Sequence, residues 1–304
     1  MANKLQKAIS QPRLALEWLL CKSHLLNNMS DEKYLKFLWK LKKGTVLDLN
    51  NPQTYNEKLQ WLKLYDRKPL YTKIVDKIRV KDYVSDIIGK EYIIPTIAIW
   101  NSPDEIRMDN LPDKFVLKTN NGSSSAGVIV CKDKTSFDLE AAKKTLQKSL
   151  NGSVWLDMRE WPYKDIVPKV FAEEFIEDPS GDLQDYKFFC FDGDVKALFV
   201  ATDRFSEEVK FDFFDADFNH LDLYQIHPMS GKSISKPEGF EEMKAVAAKL
   251  SKGFPHVRVD LYNVNGKIYF GEITFYHHGG FAPFHPEKWD YEFGSWIKLP
   301  KKSV

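Results

Sequence analysis

Apolar side chains recur at helical spacing in the first part of the chain. In the first fifty residues they are Leu14, Leu19 and Leu20, followed by Tyr34, Leu38 and Leu41. This spacing predicts a helical cap that packs on the main body. Thr54 and Glu57 form a capping box, which predicts a helix over residues 54–66. A further helix is expected over residues 73–88, ended by Gly89.

From residue 93 onward, short apolar runs bounded by turn residues replace the helical pattern. The runs that predict strands are residues 115–117, 128–130, 170–176, 186–191, 195–201, 257–261 and 268–273. Asp192-Gly193 and Asn265-Gly266 are hairpin turn signals between neighbouring runs. Helical spacing returns over residues 135–150 and 240–250. The chain therefore divides into a helical first part and a longer part that mixes strands and helices.

Composition narrows the class of protein. The chain has 304 residues, with 44 Lys and Arg against 43 Asp and Glu, so its formal net charge is +1 and no basic excess indicates a nucleic-acid partner. Its three cysteines lack CxxC spacing, which favours a reducing compartment. No apolar stretch is long enough to span a membrane. We expect a cytoplasmic protein, and no sequence feature specifies an oligomeric state.

An alternative interpretation of the first helical region is a basic amphipathic helix. Its lysines could rest on an anionic membrane or polymer, as peripheral proteins do. They are Lys33, Lys36, Lys40, Lys42 and Lys43.

A glycine- and serine-rich loop lies between the predicted strands 115–117 and 128–130. Lys118 stands at the end of the first strand, and the nine residues 119–127 include two Gly, three Ser and two Asn. Such a loop can bring backbone N–H groups and hydroxyls onto a phosphate, and the lysine would add charge. The alternative is a long surface hairpin without a ligand.

The last predicted hairpin carries two carboxylates. Side chains two apart on a strand share a face, so Arg258 lies beside Asp260, and Glu272 beside Thr274. A turn at Asn265-Gly266 would bring Asp260 near Glu272, and the oxygen-rich set suits Mg²⁺. The alternative is an exposed strand pair with a satisfied ion pair. Together with the lysine and the loop, the hairpin predicts a Mg-nucleotide site.

Six short motifs, in this order, resemble the ATP-grasp superfamily of carboxylate–amine ligases. They are Asp76-Lys77-x-x-x-Lys81, FVLK at 115–118, GSSSAG at 122–127, EEFI at 173–176, Arg258-x-Asp260 and Glu272-x-Thr274. More narrowly, TYNEKLQWLKLYD, IIPTIAIW, DYKFFCFDGDV, and RVDLYNVNGKIYFGEITF followed by HHGG look like the TupA-like ATP-grasp group. That group is found among bacterial surface-polysaccharide and teichuronopeptide biosynthesis genes. The resemblance covers roughly residues 50–300.

The resemblance implies an α+β ATP-grasp fold, in which two α/β lobes clasp ATP behind an N-terminal helical extension. The expected parts are an extension over 1–50, a helical linker part over 51–92, a small lobe with the glycine/serine-rich loop over 93–180, and a C-terminal lobe with the Mg-binding strands over 181–304.

The resemblance also implies roles for individual residues around ATP. Lys81 and Lys118 would contact the phosphates, and the loop would fold over them through Gly122, Ser123, Ser124, Ser125 and Gly127. Glu173 would bind the adenine amine, and the backbone of Glu174, Phe175 and Ile176 would line the base. Asp185 could hold the ribose, and Lys187 could reach the nucleotide.

The remaining roles concern Mg²⁺ and the transferred phosphoryl group. The resemblance implies that Asp260, Glu272 and Thr274 ligate Mg²⁺ and that Arg258 stabilises charge on the phosphoryl group. The usual final ligand is an asparagine, so Thr274 is a departure that favours one metal bridged by Glu272. Arg204 could grip the carboxylate or the phosphoryl group; its alternative is a surface ion pair with Asp203 or Glu207.

The implied reaction is ATP-dependent amide formation through an acyl phosphate. The group suggests a uronic-acid carboxylate of a nucleotide sugar or surface glycan, joined to an amino acid or small amine; a glutamyl chain is the peptide-type alternative. Other classes remain open: a glycosyltransferase using Asp215-x-Asp217, a kinase using the same cleft, or a nucleotide-binding module without catalysis.

We expect at most one of His277 and His278 to face the site, because neighbours on an extended chain point opposite ways. Gly279-Gly280 could offer N–H groups to an oxyanion.

Overall fold

The computed structural model describes residues 25–122, 127–179, 181, 183–203 and 209–302. Its eight α-helices within those ranges are α1 (Asp31–Lys43), α2 (Tyr55–Tyr65), α3 (Pro69–Val75), α4 (Val80–Ile88), α5 (Leu139–Leu150), α6 (Val154–Met158), α7 (Phe240–Ser251) and α8 (Lys288–Trp296). Short 3-10 turns connect several of them. The one that bears on the site is His277–Gly280.

The strands number nine in the described ranges. They are β1 (Thr96–Trp100), β2 (Phe115–Thr119), β3 (Val128–Cys131), β4 (Val170–Glu174), β5 (Asp185–Phe191), β6 (Asp194–Thr202), β7 (Lys210–Asp215), β8 (Val257–Val264) and β9 (Lys267–Thr274). They form two antiparallel sheets: a four-stranded sheet of order β1-β4-β2-β3, and a five-stranded sheet of order β7-β6-β5-β8-β9. Helices together with two antiparallel sheets confirm the predicted α+β class.

The capping box at the start of α2 is confirmed. Thr54 Oγ1 accepts the Glu57 N–H at 3.2 Å, and Glu57 Oε2 accepts the Thr54 N–H at 3.0 Å. This reciprocal pair satisfies two backbone donors that no helical carbonyl can reach.

The helix predicted over residues 73–88 is wrong as a single helix. The structure has α3 and α4 with a break at residues 76–79. Asp76 Oδ1 accepts the N–H groups of Ile78 at 2.9 Å and Arg79 at 3.3 Å, so this side chain starts the second helix instead of continuing the first. Asn120 also donates to Asp76 Oδ2, at 3.2 Å. The break leaves Lys77 in a turn, where its side chain can reach beyond either helix.

The two sheets lie in different hydrophobic clusters. The smaller cluster joins β2, β3 and β4 to α5, through side chains such as Leu117, Ala172 and Leu146. The larger cluster joins the five-stranded sheet to α7, α8 and the helices α1–α4. The helices that precede the first strand are therefore built into the core of the C-terminal part.

The position of α1 supports the helical cap, of which Leu14, Leu19 and Leu20 lie outside the described residues. Tyr34, Leu35, Leu38 and Trp39 are buried in the larger cluster, as a helical cap predicts. The apolar face of α1 is therefore not available to a membrane surface. Across the described ranges, no helix combines the length and the apolar character needed to cross a bilayer.

Candidate active site

A glutamate between two lysines lies on the four-stranded sheet. Glu173 on β4 forms a close ion pair with Lys118 of β2, and Lys81 of α4 approaches its other oxygen, Oε1, at 2.6 Å. Lys81 also donates to the Ile94 carbonyl at 2.8 Å and to Thr96 Oγ1 at 2.6 Å. The two lysines that the sequence places at the phosphates are thus brought together.

The carboxylate of Glu173 and the ammonium groups of its two lysines change one another's pKa values. Glu173 is only 5% exposed. Burial alone would raise the pKa of its carboxyl, but the ammonium groups of Lys118 and Lys81 hold that pKa below its ordinary value. Burial would likewise lower the pKa of Lys118, and the negative charges of Glu173 and Glu272 raise it instead. Glu173 and Lys118 therefore stabilise each other's ionised forms.

Lys77 physically connects the two sheets. From the break between α3 and α4, its ammonium donates to the carbonyl of Gly122, at the start of the glycine loop, and lies 3.5 Å from Glu272 Oε2. The Lys77 N–H donates to the Asn120 carbonyl at 3.3 Å. The loop that follows β2 and the end of β9 therefore border one cleft.

The hairpin of β8 and β9 places its carboxylates as predicted. Asp260 pairs with Glu272, and Arg258 pairs with Thr274, directly across the two strands. The guanidinium of Arg258 is bidentate on Asp260, with Nε 2.7 Å from Oδ1 and Nη2 2.8 Å from Oδ2. Nη2 also donates to Glu272 Oε1 and to Thr274 Oγ1, each at 3.1 Å.

Strand β5 adds a second cation to this face. Lys187 lies opposite Asp260 and forms a close ion pair with it, and its ammonium is 2.7 Å from Asp185 Oδ2. Burial alone would raise the pKa of the Glu272 carboxyl, but Lys77, Arg258 and Lys187 hold it below its ordinary value. The Glu272 carboxylate is therefore anionic at neutral pH, which a cation site requires.

Comparison with known proteins gives the family. The sequence model of the TupA-like ATP-grasp group matches residues 57–298, which is most of the chain. The chain belongs to the TupA-like ATP-grasp family. This confirms the resemblance carried by the six motifs. A comparison with curated protein sequences gives no match.

Several solved structures are similar to this chain at low identity. The D-alanine–D-alanine ligase from Helicobacter pylori is 18% identical, with a TM-score of 0.41 over 79% of this chain and 62% of that one. The ATP-grasp ligase PsnB in complex with a minimal precursor is 12% identical, with a TM-score of 0.39 over 68% and 53%. The D-cycloserine synthetase DcsG is 17% identical, with a TM-score of 0.38 over 68% and 64%. This chain covers less than two thirds of each of these proteins.

The donor set on the ATP-grasp hairpin fits a Mg²⁺ that arrives with its nucleotide. Within the described ranges, no group of three or more His, Cys, Asp and Glu side chains could hold a metal alone. Magnesium is commonly held by one or two carboxylates, with phosphate oxygens and water completing its shell. Asp260, Glu272 and Thr274 supply such a partial set. Glu272 Oε2 is the most available donor, because its nearest cation, Lys77, is 3.5 Å away.

The two ends of the glycine loop lie against α5. Thr119 Oγ1 and Ser149 Oγ are 2.9 Å apart, and a Cβ on Gly127 would collide with both hydroxyls. Glycine at position 127 therefore lets the chain return close to β2. Ser123, Ser124 and Ser125 lie outside the described residues, so their role at the phosphates stays a prediction.

The other ATP-grasp positions vary in exposure. Glu174 is exposed, and Phe175 and Ile176 are half-buried beyond the end of β4. Glu173 has both carboxylate oxygens engaged by lysines, so binding the adenine amine would require exchange of a partner. These roles, and that of Asp185 at the ribose, stay predictions. Arg204 lies outside the described residues.

The histidine pair lies in a turn and not in the extended chain that the expectation assumed, so the expectation that at most one of them faces the site stays a prediction. Residues 277–280 form a 3-10 turn, and His278 has a left-handed φ of 47°. The two imidazole centroids are 4.2 Å apart, so both rings lie together. The turn also changes the expected oxyanion role, because the Gly279 N–H already donates to the Tyr276 carbonyl at 2.7 Å.

The Asp215-x-Asp217 pattern has a local structural explanation. Asp215 Oδ1 accepts the N–H groups of Asp217 at 2.9 Å and Asn219 at 2.8 Å, and Oδ2 accepts the Asn219 amide at 2.9 Å. Asp215 therefore closes the turn after β7, and nothing in this contact set indicates a nucleotide-sugar site.

Sequence reasoning missed the bridging role of Lys77. The motif Asp76-Lys77-x-x-x-Lys81 was visible, but only Lys81 received a role. An aspartate in a helical pattern is itself a helix-start signal, and it could have placed Lys77 at a break.

Proposed function

We propose that this protein is an ATP-dependent ligase that activates a carboxylate as an acyl phosphate and transfers the acyl group to an amine. The observation that carries this proposal is Lys77, whose ammonium joins the start of the glycine loop to Glu272. This contact supports a site in which the lysines proposed to bind phosphate and the carboxylate hairpin act on the same γ-phosphoryl group.

Lys118 of β2 and Lys81 of α4 would bind the triphosphate. They would exchange part of their contact with Glu173 for phosphate oxygens, while Lys77 holds the Gly122 carbonyl at the start of the loop. Arg258 faces the developing charge on the transferred group. A Mg²⁺ held by Glu272 and Asp260 would neutralise charge on the phosphate oxygens.

Two displacements complete the reaction. A carboxylate oxygen of the substrate attacks the γ-phosphorus, the bond to the β–γ bridging oxygen breaks, and ADP leaves. The amine nitrogen then attacks the acyl carbon, the carbon–oxygen bond to phosphate breaks, and inorganic phosphate leaves as the amine loses a proton. The acyl phosphate hydrolyses readily, so we propose that the loop excludes water during this interval.

For the substrate, we infer a uronic-acid carboxylate of a bacterial surface polysaccharide or its nucleotide-sugar precursor, joined to an amino acid or small amine. Membership of the TupA-like family and the gene context of that group support this choice. We place the reaction in the cytoplasm, where ATP is supplied. A peptide carboxylate is the alternative within the same chemistry.

The experiment is a matrix of uronic-acid nucleotide sugars against amines, with ATP and Mg²⁺ present. We expect ADP only when a carboxylate and an amine are both supplied, with a product mass equal to the two substrates minus water. The Glu272→Gln variant, purified in parallel, corrects for contaminating ATPases.

Other outcomes would contradict the ligase. A stable phosphorylated product without an amide would show the kinase alternative. Sugar transfer without ATP would show the glycosyltransferase alternative, and ATP binding without turnover in any combination would indicate a binding module.

A further inference from the structure

The Arg258 guanidinium has a contact that does not belong to its own hairpin. Nη1 is 2.6 Å from Nδ1 of His277, which lies in the turn after β9. The other nitrogens of Arg258 are held by Asp260, Glu272 and Thr274. His277 therefore fixes the edge of the guanidinium that the carboxylates leave open.

This contact determines the protonation state of His277. An arginine side chain can only donate, so Nδ1 must be the acceptor and carries no proton. The neutral ring then has its proton on Nε2, which lies 2.8 Å from Oε1 of Gln225. Burial and the nearby charges of Arg258 and Lys187 lower the pKa of His277 well below its ordinary value, in agreement with a neutral ring.

Gln225 is oriented by the same logic. If its amide were reversed, Nε2 of Gln225 would donate to His277, whose proton would then have to face Arg258. As placed, Gln225 Nε2 is buried without a hydrogen-bond partner. An unpaired buried donor costs free energy, so the amide nitrogen does not favour this orientation. The bond in which Gln225 Oε1 accepts the Nε2 proton of His277 sets it instead.

The ring of His277 is held rigidly from several sides. It packs edge-on against Phe189, with centroids 5.0 Å apart, and lies 5.6 Å from the Phe199 ring. The turn that carries it is anchored by α2: Gln60 donates to the Gly280 carbonyl at 2.8 Å, and Lys63 donates to the Gly279 carbonyl at 2.7 Å.

We propose that His277, oriented by Gln225, is a positioning residue that aims the Arg258 guanidinium at the transferred phosphoryl group. This inference rests on the proposed ligase function. A neutral acceptor fixes the direction of the guanidinium without adding a third negative charge to the two carboxylates that already contact it. Arg258 therefore keeps more positive charge for the transition state than it would beside a third carboxylate.

Two variants of His277 distinguish a hydrogen-bond acceptor from a side chain that only fills space. His277→Leu removes the acceptor, and we expect kcat to fall about 30- to 100-fold with the KM for ATP changed less than about threefold, because misaimed charge affects the transition state more than binding. His277→Asn can present an oxygen near the Nδ1 position and should restore most of kcat. Gln225→Leu should lower kcat by a smaller factor, about threefold to tenfold.

His256 supplies the matched control. Its imidazole is also buried, in the residue just before β8, and it is bonded to the Tyr55 hydroxyl at 2.8 Å and the Cys190 carbonyl at 3.0 Å, so neither of these bonds involves Arg258. His256→Leu should lower the melting temperature while kcat of the folded enzyme stays within about threefold. Equal kcat losses in His256→Leu and His277→Leu, or no rescue by His277→Asn, would overturn the proposal.

A second measurement needs neither turnover nor a stable variant. In ¹⁵N-histidine-labelled wild-type protein, His277 should show a protonated Nε2 and an unprotonated Nδ1. The opposite tautomer or an imidazolium would overturn the proposal whatever the reaction is. If the wild type forms amide and His277→Leu forms it as fast, the positioning role fails while the ligase function stands.

Discussion

The two sheets present opposite charges to the cleft between them. At the four-stranded sheet, Lys118 of β2 and Lys81 of the adjoining helix α4 share the carboxylate of Glu173, so this cluster has a formal charge of +1. On the five-stranded sheet, two cations share three carboxylates, so the cluster has a formal charge of −1; its members are Lys187, Arg258, Asp185, Asp260 and Glu272.

This difference in charge suits the two clusters to different parts of one ligand. A surplus of ammonium groups suits phosphate, and a surplus of carboxylates suits a divalent cation. A triphosphate with its metal carries both kinds of charge, so under the proposed function it would complement both clusters by lying between them. Lys77 contacts both the start of the loop that follows β2 and Glu272 at the end of β9.

The largest effect is expected from the acidic side. Glu272→Gln should lower kcat by about 10³-fold, because it removes the charge that would hold Mg²⁺ at the transferred group. The measurement is ADP release across a Mg²⁺ titration, with circular dichroism to verify folding. Asp217→Asn is the control, because this carboxylate is exposed to solvent and lies 3.8 Å from the ammonium of Lys244. Near-normal turnover of Glu272→Gln would contradict a role for Glu272 in holding Mg²⁺.

The next effect is expected from the basic side. Lys118→Ala should lower kcat/KM for ATP by about 10²-fold, as for removal of one preorganised charge from a phosphoryl clamp. Lys114→Ala removes a lysine just before the same strand, where it pairs with Glu177 at the exposed surface. We expect that control to match the wild type. Equal behaviour of the two variants would contradict a phosphate role for Lys118.

A smaller effect is expected from the contact between the sheets. Lys77→Met keeps the length of the side chain but removes its charge, and it should raise the KM for ATP about tenfold through loss of alignment. Initial rates at varied ATP measure this. Lys73→Met, one turn earlier in α3, is the control. A change confined to the melting temperature would show that Lys77 only stabilises the fold.

Glu173→Gln is expected to have the smallest effect on turnover. Its main effect is on how the free energy of unfolding depends on pH. The pKa of Glu173 is lowered by folding, so its contribution to the free energy of unfolding is present above the ordinary value of 4.5 and is lost as the pH falls through the lower folded value. The wild type should exceed the variant by about 1–3 kcal/mol at pH 7 and by less at pH 3, measured by urea unfolding. A gap independent of pH would contradict this.

The same variant tests the predicted adenine role of Glu173. If this carboxylate binds the adenine amine, Glu173→Gln changes the ratio of kcat/KM for ATP and GTP. If it only balances the two lysines, both nucleotides are affected equally.

Local patterns made part of the site predictable. The β8–β9 hairpin follows from strand alternation and from Asn265-Gly266, which adopt the positive φ angles of 51° and 82° that this turn requires. Lys77 was missed because helical spacing continues through residues 73–88, while Asn120, which holds Asp76, is 44 residues away. The His277 turn likewise depends on Gln60 and Gln225, which are distant in sequence.

Helix α2 makes the boundary of the family match a poor place to cut this protein. The match begins at residue 57, inside α2. A chain trimmed there loses Thr54 of the capping box and Asn56, which donates to Asp290 at 2.8 Å and to the Ala282 carbonyl at 2.9 Å. The rest of α2 carries Gln60 and Lys63, so its unravelling would release the turn of His277. We therefore expect a stable fragment to start upstream of residue 54, so that α2 and its capping box are kept whole.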